Sequence, residues 1–363
     1  MSLASPRAAV TDWGLPTQGI TLDGWLRPRA VAHEGDAIGP DDIERLANWR
    51  FTHVRLPVGA GIIAAPGGLA RVTGALDLLA RHRLAAVVTL HLEATAHDAT
   101  WVDATATAAL VGTWATLGAA LRDHPACLAL DLLDDPDPPD GLSPGEVAAL
   151  GGVRLSPAAS RRAPVPGSVA GRAWAGLAAR LVSTVREAGA AQAVVVSAPR
   201  GAPEAFEHLR PVADNRVAYG FRAFAPEAFA RQGLAPGDDV PAAAHAMPDP
   251  PVAYPGIIEG ERWDRARLEA WLAPAVRFRE TYRAPLYCTG LAASAGAPRG
   301  AQLTWLRTVL RLCHDSHAGW AYAAYHDARF GIVCTRGPFA ALDRFRNGYR
   351  LDYDLLGVLQ AEA

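Results

Sequence analysis

Lysine is absent from this sequence: all 35 basic residues are arginine. Every cationic contact the chain makes is therefore a planar guanidinium that stays charged at any ordinary pH. With 37 acidic residues the formal net charge is −2, which gives no electrostatic reason to bind nucleic acid or an anionic membrane surface. Cysteine is scarce. Cys127, Cys288, Cys313 and Cys334 form no C-x-x-C pair, and no histidine cluster sits at ligand spacing. Neither a zinc site nor a disulfide framework is indicated, and no metal or other cofactor is expected. Cys127 and Cys288 fall in apolar, strand-like runs, where a thiol behaves as a small hydrophobe. No uninterrupted apolar run is long enough to predict a membrane span. Residues 1–19 lack the apolar stretch of a signal peptide, so the chain as written reads as soluble and cytoplasmic. A processed or engineered start at Met-Ser-Leu would hide an export signal.

Half of the 363 residues are apolar, enough for a large core. Short apolar or β-branched runs fall at Ile20–Trp25, His53–Pro57, Ala86–His91, Cys127–Leu133, Ala193–Ala198, Arg216–Phe221, Pro285–Cys288 and Gly319–Ala323. Amphipathic helical patterns separate them, among them Asp41–Trp49, Leu69–His82, Ala104–Asp123, Trp174–Ala188, Pro203–Leu209, Asp264–Tyr282 and Ala301–His314. Strand–helix alternation repeated eight times predicts an α/β fold, a (β/α)₈ TIM barrel. One domain is expected over residues 1–363, with an N-terminal extension at 1–18 and a C-terminal helical segment at 336–363 packing on the barrel. Pro136–Gly171 after strand four and Ala230–Gly260 after strand six are long, rich in Pro, Gly and Ala, and lie on the face where barrels carry their sites.

The strand ends carry recurring motifs. Gly19-Ile20-Thr21-Leu22-Asp23-Gly24-Trp25-Leu26 is similar to G-x-N-L-G-G-W-L, and Val54-Arg55-Leu56-Pro57 to V-R-L-P. Thr89-Leu90-His91 resembles a strand-three L-H pattern. Tyr219 to Pro226, followed by Phe229 and Gln232-Gly233, resembles Y-x-x-H-x-Y-x-P…F-x-x-Q-G. Pro285 to Gly290 resembles P-x-Y-x-G-E, and Gly319 to Tyr325 with Phe330-Gly331-Ile332 resembles G-W-x-Y-W-x-Y…F-G-I. Together these resemble family 5 glycoside hydrolases, cellulase-like barrel enzymes, from Gly19 to Val333. The resemblance implies a carbohydrate ligand, with Arg55, His91, Asp134, Arg222, Tyr219, Trp101 and Tyr325 as candidate pocket residues.

The departures matter more. A retaining glycosidase needs two carboxyl groups roughly 5 Å apart, one as nucleophile and one as acid/base. Where the family carries N-E-P, this chain has Asp134-Asp135-Pro136. Asp135 stands at the acid/base position one methylene short, and misplacement by about an ångström can cost about 10²-fold. The nucleophile position falls on Gly290, which has no side chain, so no covalent glycosyl intermediate can form there. The strand-six His position is Arg222, the Tyr after it is read at Ala223, and the strand-eight aromatic platform is Ala323. Arg55 has lost the Glu it would pair with. An unpaired buried guanidinium is costly, so Asp134 or Asp135 is expected to neutralise Arg55 or Arg222.

Two classes of function follow. The first is a non-hydrolytic carbohydrate-binding or scaffolding protein. The second is an active glycosidase with relocated groups, Asp135 as acid and Glu93 or Asp327 opposite; an inverting site tolerates a gap of roughly 6.5–9.5 Å. A third, weaker reading makes the Pro-rich loops a surface for a protein partner. Arg55 also reads simply as a structural ion-pair residue, Trp25 and Trp114 as core aromatics, and Glu93, Asp98, His326 and Asp327 as loop residues.

Overall fold

The computed structural model describes residues 17–27, 38–139, 141–150, 169–234, 248, 250–327, 329–334, 343–344 and 350–362. Eight parallel strands close a barrel: β1 (Gln18–Thr21), β2 (His53–Gly59), β3 (Ala85–His91), β4 (Cys127–Asp131), β5 (Ala193–Ser197), β6 (Val217–Ala223), β7 (Leu286–Leu291) and β8 (Gly319–Tyr322). Each pairs with the next, and β8 closes onto β1. All eight strands expected from the sequence are present. The first is displaced: instead of running on to Trp25 it ends at Thr21, because the chain turns at Asp23-Gly24, where Gly24 adopts a φ of 86°.

The ring outside the barrel is α1 (Pro40–Asn48), α2 (Gly68–Arg81), α3 (Ala104–Leu121), α4 (Val169–Glu187), α5 (Arg265–Tyr282) and α6 (Arg299–Asp315). Leu110, Trp114, Leu117 and Leu121 recur at helical spacing on α3 and are fully buried against the barrel. This helix, with a mean hydropathy of 1.3, is long and apolar enough to cross a membrane, yet one stripe of it forms part of the core. Between β5 and β6 the helix expected at Pro203–Leu209 is replaced by two 3₁₀ turns, Pro199–Gly201 and Pro203–Glu207. Two prolines in five residues remove the donors an α-helix needs there.

The loop after β4 contains a short helix, Pro144–Ala149, closed by a reciprocal cap between Ser143 and Glu146. The loop after β6 contains a helical turn, Glu227–Ala230, and a hairpin of Gly256–Ile258 with Glu261–Trp263. The rest of both Pro-rich segments lies largely outside the described residues. Helix α7 (Tyr353–Ala361) packs on α6, and the Gln18 amide donates to the Leu359 carbonyl at 3.1 Å. The C-terminal segment is not helical throughout: Arg350–Leu351 pairs antiparallel with Val333–Cys334 and Asp343–Arg344.

Inward-pointing residues alternate along each strand. Val87, Ala129, Val195, Ala218, Tyr287 and Ala321 form one buried layer inside the barrel. Two residues further up β3, β4 and β5 come Thr89, Asp131 and Ser197, all buried. This polar layer, with Arg55 from β2, forms the floor of the barrel mouth.

Candidate functional site

Arg55 rises from mid-β2, in register with Thr21 and Val87. Its Nη2 donates to Asp131 Oδ2 at 2.9 Å and to Asp134 Oδ1 at 2.8 Å. The three side chains are 5%, 0% and 8% exposed, so two carboxylates surround one guanidinium away from water. Asp131 also accepts from the hydroxyls of Thr89 at 3.0 Å and Ser197 at 3.3 Å. Burial holds its carboxyl above the ordinary value, against the pull of Arg55.

Past β4 the chain turns over the mouth, with the Asp134 amide donating to the Leu90 carbonyl at 2.8 Å. Arg222, from the upper end of β6, donates a short hydrogen bond to Asp134 Oδ1 and reaches Asp135 Oδ2 at 3.0 Å. Asp134 thus lies between two guanidiniums, with Arg27 at 4.0 Å and His91 Nδ1 at 3.5 Å from its other oxygen. Burial alone would raise its pKa, but Arg55 and Arg222 reverse this and hold the carboxyl well below the usual range. It cannot serve as a proton donor near neutral pH. Asp131 is the more readily protonated, but it is sealed beneath Arg55. Asp134 or Asp135 was expected to neutralise Arg55 or Arg222; Asp134 pairs with both arginines, and Asp131 adds a second carboxylate to Arg55.

The Arg222 stem depends on Gly201, whose φ is 63°. A Cβ on Gly201 would meet Cγ, Cβ and Cδ of Arg222 at 2.7–2.9 Å, so only glycine lets the arginine pass beneath the β5 loop. In the β6–β7 register Arg222 stands opposite Gly290. A Cβ on Gly290 would meet only the Phe224 ring, at 3.7 and 3.9 Å; the position has room for a side chain but carries none. Gly290, Ala323, Arg55, Asp134, Arg222 and Phe224 line an axial cavity of about 150 Å³.

Six expected site residues therefore come together: Arg55, His91, Asp134, Asp135, Arg222 and Gly290. Three do not. Trp101 is buried, edge-on to Trp174 with ring centres 6.1 Å apart, and is a core residue rather than a sugar platform. Tyr219 points out of the barrel against Phe278 at 4.8 Å, its hydroxyl accepting from the Val212 amide. Tyr325 is buried beside α1, donating to Asp42 Oδ1 at 2.6 Å. Trp114 is a core aromatic whose indole donates to the Leu132 carbonyl. Ala223 is buried, and its neighbour Phe224 is the residue that reaches the cavity.

Sequence reading missed Asp131, although the alternation Cys127, Ala129, Asp131 points it inward with Ala129. It also missed Arg231, whose guanidinium lies 5.0 Å from the Phe224 ring centre. Of the relocated acids, Glu93 is exposed at the start of a short helix, and Asp327 is buried against Arg329 and the backbone amides of Arg329 and Phe330. Among the described residues no three His, Cys, Asp or Glu side chains are placed to hold a metal ion.

A family model described as cellulase (glycosyl hydrolase family 5) matches residues 17–324. Endoglucanase C of Acetivibrio thermocellus is 21% identical over 351 residues, spanning 86% of this chain and 92% of that protein. Among solved structures, an endoglucanase superposes with a TM-score of 0.71 at 17% identity, covering 95% of this chain and 96% of its own. Thermotoga maritima Cel5A in complex with cellobiose gives 0.69 at 17% identity, with 94% and 97% covered. The structural likeness at these identities is one of fold.

Proposed function

Given that the chain belongs to the cellulases of glycosyl hydrolase family 5, we propose that it binds an oligo- or polysaccharide without hydrolysing it. The observation that carries this reading is Gly290: the β7 position facing the axial cavity would take a Cβ at ordinary contact distance and presents no carboxylate. Double displacement needs a nucleophile and an acid/base about 5 Å apart. The other carboxylates lining the cavity are committed. Asp134 is clamped by Arg55 and Arg222, and Asp23 lies 3.6 Å from Arg27. Asp135, the shortened acid, is bridged to Arg222. A carbohydrate ligand is supported by the family and by the cellobiose complex of a structural neighbour.

The test is to assay β-glucan fragments and aryl β-glycosides for turnover and, separately, for binding. Binding without turnover is expected. Turnover abolished by Asp135→Ala would contradict the reading in favour of a glycosidase with relocated groups. Neither binding nor turnover would favour a scaffolding role for the Pro-rich loops.

A further inference from the structure

We infer that the ligand site is a cleft displaced from the barrel axis, between the β5 and β6 loops, and that its ligand is a neutral oligosaccharide. This rests on the non-hydrolytic binding reading and specifies where and what the protein binds. The axial cavity, at about 150 Å³, is below the roughly 300 Å³ at which small-molecule sites begin. The neighbouring cleft is about 430 Å³. Arg222 lies on the boundary, lining both. Its stem is fixed beneath Gly201 and its guanidinium is tied to Asp134 and Asp135, so it divides the cleft from the space over Gly290.

The three arginines that line the cleft are each ion-paired. Arg222 pairs with Asp135 at 3.0 Å, Arg200 with Asp137 at 2.6 Å and Arg231 with Glu227 at 3.4 Å. Exposed Glu204 adds a further negative charge. Among the described lining residues each guanidinium faces a carboxylate, so none favours an anion. Adjacent donors and acceptors of this kind match neighbouring sugar hydroxyls, each of which both donates and accepts. Half-buried Trp271 on α5 is the aromatic wall, suited to the apolar C–H face of a pyranose ring.

Backbone conformation marks the same place. Among the described residues seven non-glycine residues have positive φ. Arg50, Arg83, Arg283 and His317 follow helix ends and Glu259 sits in the hairpin turn, where left-handed residues are common. The remaining two, Asp135 at 56° and Arg200 at 54°, both line the cleft. The Arg200 amide donates to the Pro136 carbonyl at 2.9 Å, joining the two strained loops. Strain held without a capping role gathers at binding sites.

The test is calorimetric titration of the full chain with cellotetraose, mannotetraose and tetragalacturonate at ~0.15 M salt. A neutral tetrasaccharide is expected to bind at least about tenfold more tightly than the acidic one. Trp271→Ala should weaken that binding about tenfold or more and Trp271→Phe by no more than about threefold. Should Trp271→Ala prove poorly folded by circular dichroism, Arg200→Gly serves instead. It keeps the backbone conformation, removes a largely exposed side chain and should weaken binding about threefold or more. Neutral-sugar binding that all three substitutions leave unchanged would overturn the displaced site while sparing the proposed function. Tighter binding of tetragalacturonate would overturn the neutral ligand. No binding of any of the three would overturn both proposals.

Discussion

The two ends of the barrel interior bury polar groups in opposite ways. At the lower end His53 packs so closely on Gly19 that a Cβ there would strike the imidazole at 2.2 Å, and His53 Nε2 meets the Tyr287 hydroxyl at 2.7 Å. Burial pushes the imidazole down to about 3, so the pair is neutral, and hydroxyl contacts alone, Tyr287 at Nε2 and Thr52 at Nδ1, satisfy the ring. At the mouth Arg55, Asp131, Asp134 and Arg222 pair acid to base, each facing at least one partner of opposite sign. A neutral buried pair costs little to keep. A buried charge cluster tolerates the loss of no member, because the remaining charges stay uncompensated. Glycoside hydrolysis also needs charged groups at the mouth, but free to exchange protons and reach a substrate. Here they engage one another.

This contrast can be broken most forcefully by Asp134→Ala. It leaves Arg55 with Asp131 alone and costs Arg222 its buried partner, and it should lower stability by about 3–5 kcal/mol in urea unfolding at pH 7. A loss under about 1 kcal/mol would mean the cluster is solvated. Next is the pH response. Because His53 has a lower pKa folded than unfolded, the unfolded chain takes up its proton first as pH falls below 6.5. Stability should then drop toward pH 4 by up to about 1.4 kcal/mol per pH unit from this group, and His53→Gln should flatten that slope. The contribution of Asp134, whose pKa is depressed, stays intact down to its unfolded value and is lost as pH falls from there through its folded one. Asp131, shifted upward, works against that later loss.

Smaller effects sharpen the contrast. Tyr287→Phe should cost about 1–2 kcal/mol, the expense of leaving one buried hydrogen-bonding group unpaired, well below the Asp134 variant. Gly290→Glu should change stability by less than about 1 kcal/mol, since the added Cβ meets only the Phe224 ring at ordinary contact. A thermal melt shows whether the vacant position at the mouth accepts a carboxylate or is required to be empty.

The barrel was legible because alternating apolar runs and amphipathic stretches dictate it, and five of the six residues that meet at the mouth lie near or just past strand ends, where the fold alone brings them together, with Arg55 reaching the mouth from within β2. Asp131 was equally legible from its two-residue offset to Ala129. Reading by motif passed over it, because Asp131, the last residue of β4, belongs to none of the motifs. Tyr219 and Tyr325 were misplaced because a motif fixes a position along the chain but not the face a side chain takes: one points outward to Phe278, the other toward Asp42 on α1. Trp101 looked like a loop residue, yet its ring turns back onto Trp174. Trp271 carried no signal, because only the closed barrel and the loops before α5 bring a helix residue to the cleft wall.

The most direct measurement is mass spectrometry of cellotetraose incubated in ¹⁸O-water with the protein in molar excess, so that even a single slow turnover registers. Intact tetrasaccharide without labelled reducing ends is the expected result. Cleavage products carrying ¹⁸O, and lost in Asp135→Ala, would contradict it and establish that the mouth still hydrolyses.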